Sequence, residues 1–214
     1  MLRLSPTPLI AILRGVRPEE AEAIASVLIE AGFGAIEVPL NSPEPLKSVE
    51  ALARRWGHSV LVGAGTVLMR DDVERVAGAG AKLVVAPNAN PAVIERALEF
   101  DLAVLPGAAT PTEGFSALAC GASALKLFPA EGMPPEVVKA WRAVLPKDTQ
   151  LMPVGGITPE RIAPYRRAGA DGFGLGGALY RPGITAAEAK ENARAFVAAW
   201  RQAADGLPLS LSKG

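Results

Sequence analysis

The chain has 214 residues, of which 50% are hydrophobic and 21% charged, the composition of a globular protein with one sizeable core. Its 22 Lys and Arg residues balance 22 Asp and Glu residues, which argues against nucleic acid or an anionic membrane held by bulk electrostatics. A single cysteine, Cys120, excludes a disulfide within the chain and fits a cytoplasmic protein; together with the single histidine, His58, it argues against a zinc site.

Short apolar segments recur along the chain, and segments with the period of an amphipathic helix lie between them. The apolar segments are continuous rather than alternating, which is typical of parallel strands covered on both faces. They are also too short to span a bilayer. The eight predicted strands cover residues 9–13, 35–39, 60–63, 83–86, 102–105, 124–128, 151–154 and 172–175.

The same residue types mark the helix boundaries throughout the chain. A capping residue precedes proline at four predicted helix starts, Ser42-Pro43, Asn90-Pro91, Thr110-Pro111 and Thr158-Pro159. A glycine suited to a left-handed cap follows four predicted helices, at Gly32, Gly80, Gly121 and Gly169. The repeated unit predicts an α/β fold, a single (β/α)8 TIM barrel over residues 1–204 with a flexible C-terminal tail at 205–214. An open doubly wound sheet is the alternative, but the chain lacks a complete dinucleotide-binding motif.

Two charged residues occur inside predicted strands, where the neighbours are apolar. Lys126 lies in the sixth strand and Glu37 in the second, and alternate strands of such a barrel contribute to one interior layer. Burial lowers the pKa of a lysine, and a neutral amine can attack a ketone to form a Schiff base. Glu37 is then a candidate general acid/base. A structural ion pair between the two residues is the alternative, although such pairs contribute little net stability.

Glycines and polar residues follow the predicted strands at the end where this fold carries its active sites. Gly155 and Gly156 follow the seventh strand and Gly176 and Gly177 the eighth, the usual position of a phosphate site; tight turning alone is the alternative. Further candidate anion ligands are Arg14 after the first strand, Asn41 after the second, and Gly63, Gly65 and Thr66 at the third. Alternatively, Arg14 forms only a salt bridge at the rim of the barrel. Ser42, beside Asn41, is predicted to cap the following helix.

These segments together resemble the Schiff-base aldolases that cleave 2-keto-3-deoxy-6-phosphosugar acids. The resemblance covers residues 8–200 and is carried by a strand with Glu37, a Gly-Ala-Gly-Thr-Val turn from Gly63, and a Lys-x-Phe-Pro strand from Lys126, in this order. Further matches lie at 8–15, 39–43, 87–88, 154–160 and 174–180.

The resemblance implies a metal-independent lyase without a cofactor, and typically a homotrimer. Lys126 is expected to form the Schiff base and Glu37 to act as general acid/base. Arg14 and Thr66 are expected to hold the pyruvate-derived part of the substrate, and Gly155, Gly156, Gly176 and Gly177 its phosphate.

Two signals bear on the substrate's C4 configuration and point in opposite directions. Asn41-Ser42 is the pair of the relatives that act on the galactonate epimer, whereas Phe128-Pro129-Ala130-Glu131 continues as in the gluconate type. Gly177 also stands where a serine is expected, which removes a hydroxyl donor from the phosphate loop. We expect the galactonate epimer as substrate and its cleavage to pyruvate and glyceraldehyde 3-phosphate. The gluconate epimer, 4-hydroxy-2-oxoglutarate, a non-catalytic phosphosugar-binding barrel and a phosphosugar isomerase remain alternatives.

Overall fold

The predicted barrel architecture is confirmed in a computed structural model that describes residue 4 and residues 7–205. The strands are β1 (Thr7–Ile12), β2 (Phe33–Pro39), β3 (Leu61–Gly65), β4 (Leu83–Val85), β5 (Ala103–Leu105), β6 (Gly107–Ala108), β7 (Leu125–Leu127), β8 (Leu151–Pro153) and β9 (Phe173–Leu175). The helices are α1 (Pro18–Ala31), α2 (Pro45–Trp56), α3 (Arg70–Gly78), α4 (Pro91–Glu99), α5 (Pro111–Ala119), α6 (Pro135–Val144), α7 (Pro159–Arg167) and α8 (Ala186–Asp205), with a short 3-10 helix at Ala130–Gly132.

All strand pairings are parallel, and the strands follow one another around the barrel. One sheet has the order β5-β4-β3-β2-β1-β9 and the other β6-β7-β8. Because only Pro106 separates β5 from β6, they are two halves of the fifth barrel strand, and a parallel bridge between Val154 and Gly174 joins β8 to β9. Accordingly β7, β8 and β9 are the sixth, seventh and eighth barrel strands, at the predicted positions.

The barrel interior is a small apolar cluster drawn from most of the strands. It contains Ile10, Ala35, Leu83, Val85, Leu105, Ala124 and Met152, while a larger core lies between the strands and the helices. Side chains of a strand alternate between its faces, so the residues two positions after Ala35 and Ala124 also face the interior. Those residues are Glu37 and Lys126.

The four glycine helix stops are confirmed, whereas one predicted cap is wrong. Gly32, Gly80, Gly121 and Gly169 all have φ between 85° and 111°, the left-handed region that favours glycine. Ser42 caps no helix: its buried hydroxyl accepts a hydrogen bond of 2.9 Å from the Gly15 backbone N–H. This contact holds the β2–α2 loop against the end of β1, and α2 begins at Pro45 instead.

The organisation of residues 1–204 as one domain stays a prediction. The predicted tail lies outside the described residues, apart from Asp205 at the end of α8. Among the described helices, none is both long and apolar enough to cross a membrane.

Candidate active site

Glu37 and Lys126 are buried inside the barrel, with 2% and 5% of their surfaces exposed. Glu37 lies in β2 opposite Ile12 of β1, and Lys126 lies in β7 opposite Met152 of β8. The ammonium nitrogen of Lys126 is 4.5 Å from the ring centroid of Phe128, two residues further along the chain. The structure therefore places both charged residues among the apolar strands, as the sequence predicts.

Burial shifts the pKa values of both residues toward their neutral forms. Desolvation raises the pKa of Glu37 to about 7, against the opposing attraction of Lys126 and Arg14. Desolvation likewise lowers the pKa of Lys126, with repulsion from Arg14 adding to it and attraction to Glu37 opposing it. A lysine with a lowered pKa has more of the neutral amine that nucleophilic attack requires.

One oxygen of the Glu37 carboxylate is left without a partner. Oε2 is buried and accepts no hydrogen bond from any described residue. Most buried carboxylate oxygens are hydrogen-bonded, because an unpaired one carries a desolvation cost. The unpaired oxygen is poorly explained by a purely structural ion pair, in which further hydrogen bonds would satisfy it.

Gly65, at the end of β3, lies directly against this carboxylate. A Cβ atom at Gly65 would be 1.9 Å from Oε2 of Glu37, far inside van der Waals contact. A Cβ atom at Gly63 would be 2.2 Å from the Leu83 carbonyl oxygen of the neighbouring strand. Both glycines thus have a steric reason to lack a side chain, and their predicted role as substrate ligands stays a prediction.

Thr66 adopts a backbone conformation that is rare for its residue type. Its φ of 55° lies in the left-handed region, where a β-branched side chain is strained. The residue is half-buried and directly follows Gly65. Strain of this kind is concentrated at binding and catalytic sites, which supports the predicted role of Thr66 as a substrate ligand.

Arg14 is held at the end of β1 by a side chain from the next loop. Its Nη1 donates a hydrogen bond of 2.6 Å to Oδ1 of Asn41, and both side chains are exposed. Arg14 is also close enough to influence the pKa values of Glu37 and Lys126. The hydrogen bond to Asn41 thus fixes the orientation of the Arg14 guanidinium, which can bind an anion near Lys126.

A cleft of about 590 Å³ opens at the end of the barrel that carries these residues. Among the predicted residues, it brings together Arg14, Lys126 and both glycine pairs. Glu37, Asn41, Thr66, Gly63 and Gly65 do not line this cleft, although Glu37 and Asn41 interact with Arg14, which does. Its other lining residues are Ile12, Gly15, Phe128, Glu131, Val154, Ile157, Thr158, Ala178, Tyr180, Arg181 and Pro182.

The two glycine pairs differ in their surroundings. Gly155 and Gly156 have φ values of 110° and 58° and precede the start of α7 at Pro159. A Cβ atom on either would collide with the Glu131 side chain. At Gly176 and Gly177 a Cβ atom would meet no atom of the described residues within 4 Å, so these residues leave the space beside them open.

Sequence reasoning assigned no role to three polar residues of the cleft, Glu131, Tyr180 and Arg181. Arg181 lies beyond the Gly176-Gly177 turn and not at a strand end, so the strand pattern gave no signal for it. Tyr180 is buried, and its hydroxyl donates a hydrogen bond of 3.2 Å to Oε1 of Glu20 in α1. The position of Glu131 against the Gly155 turn depends on a contact between distant segments and had no sequence signal.

His58 and Lys82, for which the sequence predicts no part in the site, lie away from the cleft. His58 is exposed between α2 and β3, and Lys82 is exposed just before β4, both at the N-terminal ends of strands. Among the described residues, no three His, Cys, Asp or Glu side chains come together as a metal site. The ionisable side chains that line the cleft are those of Arg14, Lys126, Glu131, Tyr180 and Arg181.

Comparison with known proteins adds an independent line of evidence. Residues 2–193 match the family model described as KDPG and KHG aldolase. The chain is 48% identical over 193 residues to a probable 2-dehydro-3-deoxy-6-phosphogalactonate aldolase of Rhizobium meliloti, covering 90% of this chain and 91% of the relative. It is 47% identical over 196 residues to the 2-dehydro-3-deoxy-6-phosphogalactonate aldolase of Escherichia coli, covering 92% and 96%. A solved structure described as native KDPGal superposes with a TM-score of 0.94 at 46% identity, covering 96% of this chain and 100% of that one.

Proposed function

The chain belongs to the KDPG and KHG aldolase family, and from this premise we propose that it cleaves 2-dehydro-3-deoxy-6-phosphogalactonate to pyruvate and glyceraldehyde 3-phosphate. The observation that carries the proposal is the buried Lys126, whose pKa is lowered by burial and whose strand faces the interior shared with Glu37. Two relatives named for this substrate, each covering at least 90% of this chain, support the choice of epimer.

The reaction begins at the C2 ketone of the substrate. Neutral Lys126 attacks C2, and the resulting carbinolamine loses water to give an iminium. The iminium withdraws electrons from the C3–C4 bond. Lys126 thereby supplies the electron sink that makes the cleavage of this bond possible.

Glu37 transfers the protons of the cleavage step. Its ionised carboxylate takes the proton of the C4 hydroxyl, the C3–C4 bond breaks, and its electron pair moves into the enamine. Glyceraldehyde 3-phosphate leaves. Protonated Glu37 then returns the proton to C3 of the enamine, and hydrolysis of the iminium releases pyruvate and restores Lys126. A carboxyl with a pKa of about 7 suits both directions of this transfer near neutral pH.

The remaining site residues hold the two anionic ends of the substrate. Arg14, oriented by Asn41, and the hydroxyl of Thr66 bind the carboxylate next to C2. We expect the backbone of Gly63 and Gly65, which lies beside Glu37 and just before Thr66, to contact the same end of the substrate. The phosphate is expected near the glycine pairs 155–156 and 176–177, with the start of α7 close by. The open space lies beside 176–177, because the Glu131 side chain fills the space beside 155–156.

The experiment that tests this function measures pyruvate release, coupled to lactate dehydrogenase. The galactonate substrate and its gluconate epimer are assayed side by side, with 4-hydroxy-2-oxoglutarate as a third substrate. We expect a clear preference for the galactonate epimer. Equal rates or a gluconate preference would overturn the choice of epimer, and no pyruvate from any of the three would support a non-catalytic binding barrel.

We further propose a homotrimer in the cytoplasm. Leu68 and Met69 are 41% and 65% exposed just after the Gly65-Thr66 turn, and a subunit contact would cover such apolar side chains. The lone cysteine, Cys120, suits a reducing compartment. Light scattering should give about 66 kDa, three times the chain mass of 22.1 kDa; a mass near that of one chain would refute the trimer.

A further inference from the structure

Among the residues that the structure describes, three cationic side chains line the cleft, and the proposed reaction uses two of them. Arg14 and Lys126 are both coupled to Glu37, so they belong to the end of the cleft where the ketone reacts. Arg181, in the segment after β9, is the third. A phosphate dianion at the other end of the substrate needs a cation or several N–H donors of its own.

Two contacts fix the backbone of Arg181 beside the cleft. On one side, the buried Tyr180 is tied to α1 through its hydrogen bond to Glu20. On the other side, the Pro182 ring lies so close to Gly15 that a Cβ there would be 2.7 Å from Pro182 Cγ. The Arg181 side chain itself is exposed, so a fixed backbone carries a guanidinium that can reach a ligand.

The acidic residue nearest in sequence interacts chiefly with another partner. Both the backbone N–H and the hydroxyl of Thr185 donate hydrogen bonds to Oε2 of Glu188, at 2.7 and 2.8 Å. These bonds are the main reason that the pKa of Glu188 is lowered, and the attraction of Arg181 is the smallest contribution. The guanidinium of Arg181 therefore keeps donors for a ligand.

The two glycine pairs are unequal as phosphate sites because of Glu131. Its carboxylate lies against Gly155, where a Cβ would be 2.2 Å from Oε2, and its negative charge opposes an anion at this turn. Beside Gly176 and Gly177 the space is open. These glycines are only four or five positions before Arg181, and no serine hydroxyl is present at position 177.

We propose that Arg181 binds the phosphate group of the substrate, on the side of the cleft formed by Gly176 and Gly177. This inference rests on the proposed function for the identity of the phosphate ester. A guanidinium can donate two parallel hydrogen bonds to a phosphate, which replaces the missing hydroxyl donor with a charged one. Arg181 is a binding residue and takes no part in bond cleavage.

The test compares Arg181→Gln with the wild type on two substrates, the phosphorylated sugar acid and the same sugar acid without phosphate. For the phosphorylated substrate we expect KM to rise about 10- to 100-fold, the loss typical of a charged hydrogen bond. For the unphosphorylated substrate kcat/KM should stay within about twofold, because no partner of Arg181 is present. Arg181→Lys should restore part of the loss.

Arg194→Gln is the matched control, since Arg194 is an exposed α8 residue paired with Glu191. It should leave both substrates unaffected. An equal loss on both substrates, or an unchanged KM for the phosphorylated one, would overturn the assignment of Arg181. Circular dichroism of each variant distinguishes these outcomes from unfolding.

Binding of inorganic phosphate separates this inference from the proposed function. Titrations followed by ³¹P NMR should show at least a tenfold weaker affinity in Arg181→Gln, about 1.4 kcal/mol, whether or not the sugar acid is cleaved. If the wild type releases no pyruvate but shows this difference, the proposed function fails and the phosphate site stands. If pyruvate is released and phosphate affinity is unchanged, the function stands and the role of Arg181 is refuted.

Discussion

The Glu37 carboxylate occupies the space where a side chain at Gly65 would be, because a Cβ atom there would lie 1.9 Å from Oε2. The two residues are on neighbouring strands, β2 and β3, and both are buried. The Gly-Ala-Gly-Thr turn thus has a steric role in addition to its proposed contact with the substrate. It leaves room for the carboxylate that the proposed reaction uses to move protons.

Substitution of Gly65 should therefore impair catalysis more than folding. In Gly65→Ala we expect the end of the Glu37 side chain to move away, with a loss of turnover of about 10²-fold or more. The melting temperature should change little, because the displaced group is the end of a flexible side chain. Steady-state assays and thermal melts check this. Gly78→Ala is the control, since Gly78 is exposed and a Cβ atom there would meet no other atom within 4 Å, and equal activity in the two variants would contradict the prediction.

Removal of the Glu37 charge should separate Schiff-base formation from cleavage. In Glu37→Gln, Lys126 retains its position, so borohydride should still trap pyruvate on the protein. Turnover should fall about 10²- to 10⁴-fold, the usual contribution of a general acid/base. Parallel trapping and turnover assays check this. Turnover near that of the wild type would exclude Glu37 from the proton transfer.

The dependence of activity on pH should reflect the raised pKa of Glu37. The carboxylate accepts the C4 proton only when ionised, so kcat/KM should rise with pH through an apparent pKa near 7. With an ordinary carboxyl pKa of 4.5 it would already be level there. A profile measured from about pH 5 to about pH 9 tests this. If kcat/KM stayed constant across neutral pH, burial would not raise the pKa of Glu37 into this range.

Arg14 should influence the pH at which kcat/KM rises. Its positive charge lowers the pKa values of both Glu37 and Lys126, so in Arg14→Gln both should rise. At a given pH, more Glu37 would then be protonated and more Lys126 charged. The rise of kcat/KM should therefore occur at higher pH than in the wild type. The same measurement on this variant checks the prediction. A rise of kcat/KM at lower pH than in the wild type would contradict the account.

Asn41 should act on substrate binding through Arg14. In Asn41→Ala the hydrogen bond to Nη1 is lost, and we expect KM to rise about 3- to 10-fold, which corresponds to one ordinary hydrogen bond. The rise should be similar for both epimers, because Arg14 binds the carboxylate that they share. An effect confined to one epimer would instead assign Asn41 directly to recognition of C4.

Much of the fold was predictable because its signals are local. The eight apolar segments and the four glycine stops depend on residues within one strand or one helix end, and the structure confirms both. The start of α2 was not predictable, because the Ser42 hydroxyl accepts its hydrogen bond from Gly15, a residue distant in sequence. The burial of Glu37 and Lys126 followed from their apolar neighbours.

The details of the site depend on contacts between strands and loops that sequence spacing does not reveal. The sequence indicated Gly65 as a ligand, whereas its contact with Glu37 gives it a steric role that could be found only from the register of β2 and β3. The placement of Glu131 against Gly155 likewise joins the loops after two different strands. Such contacts distinguish the two glycine pairs, which are equivalent in the sequence pattern.

The most direct test of the account is to reduce the protein with borohydride in the presence of pyruvate and locate the adduct by peptide mass spectrometry. The account predicts one reduced pyruvate on Lys126, none on the exposed Lys82, and no adduct in Lys126→Met. An unmodified Lys126 after full exposure, in a protein that still releases pyruvate from its substrate, would contradict the Schiff-base mechanism.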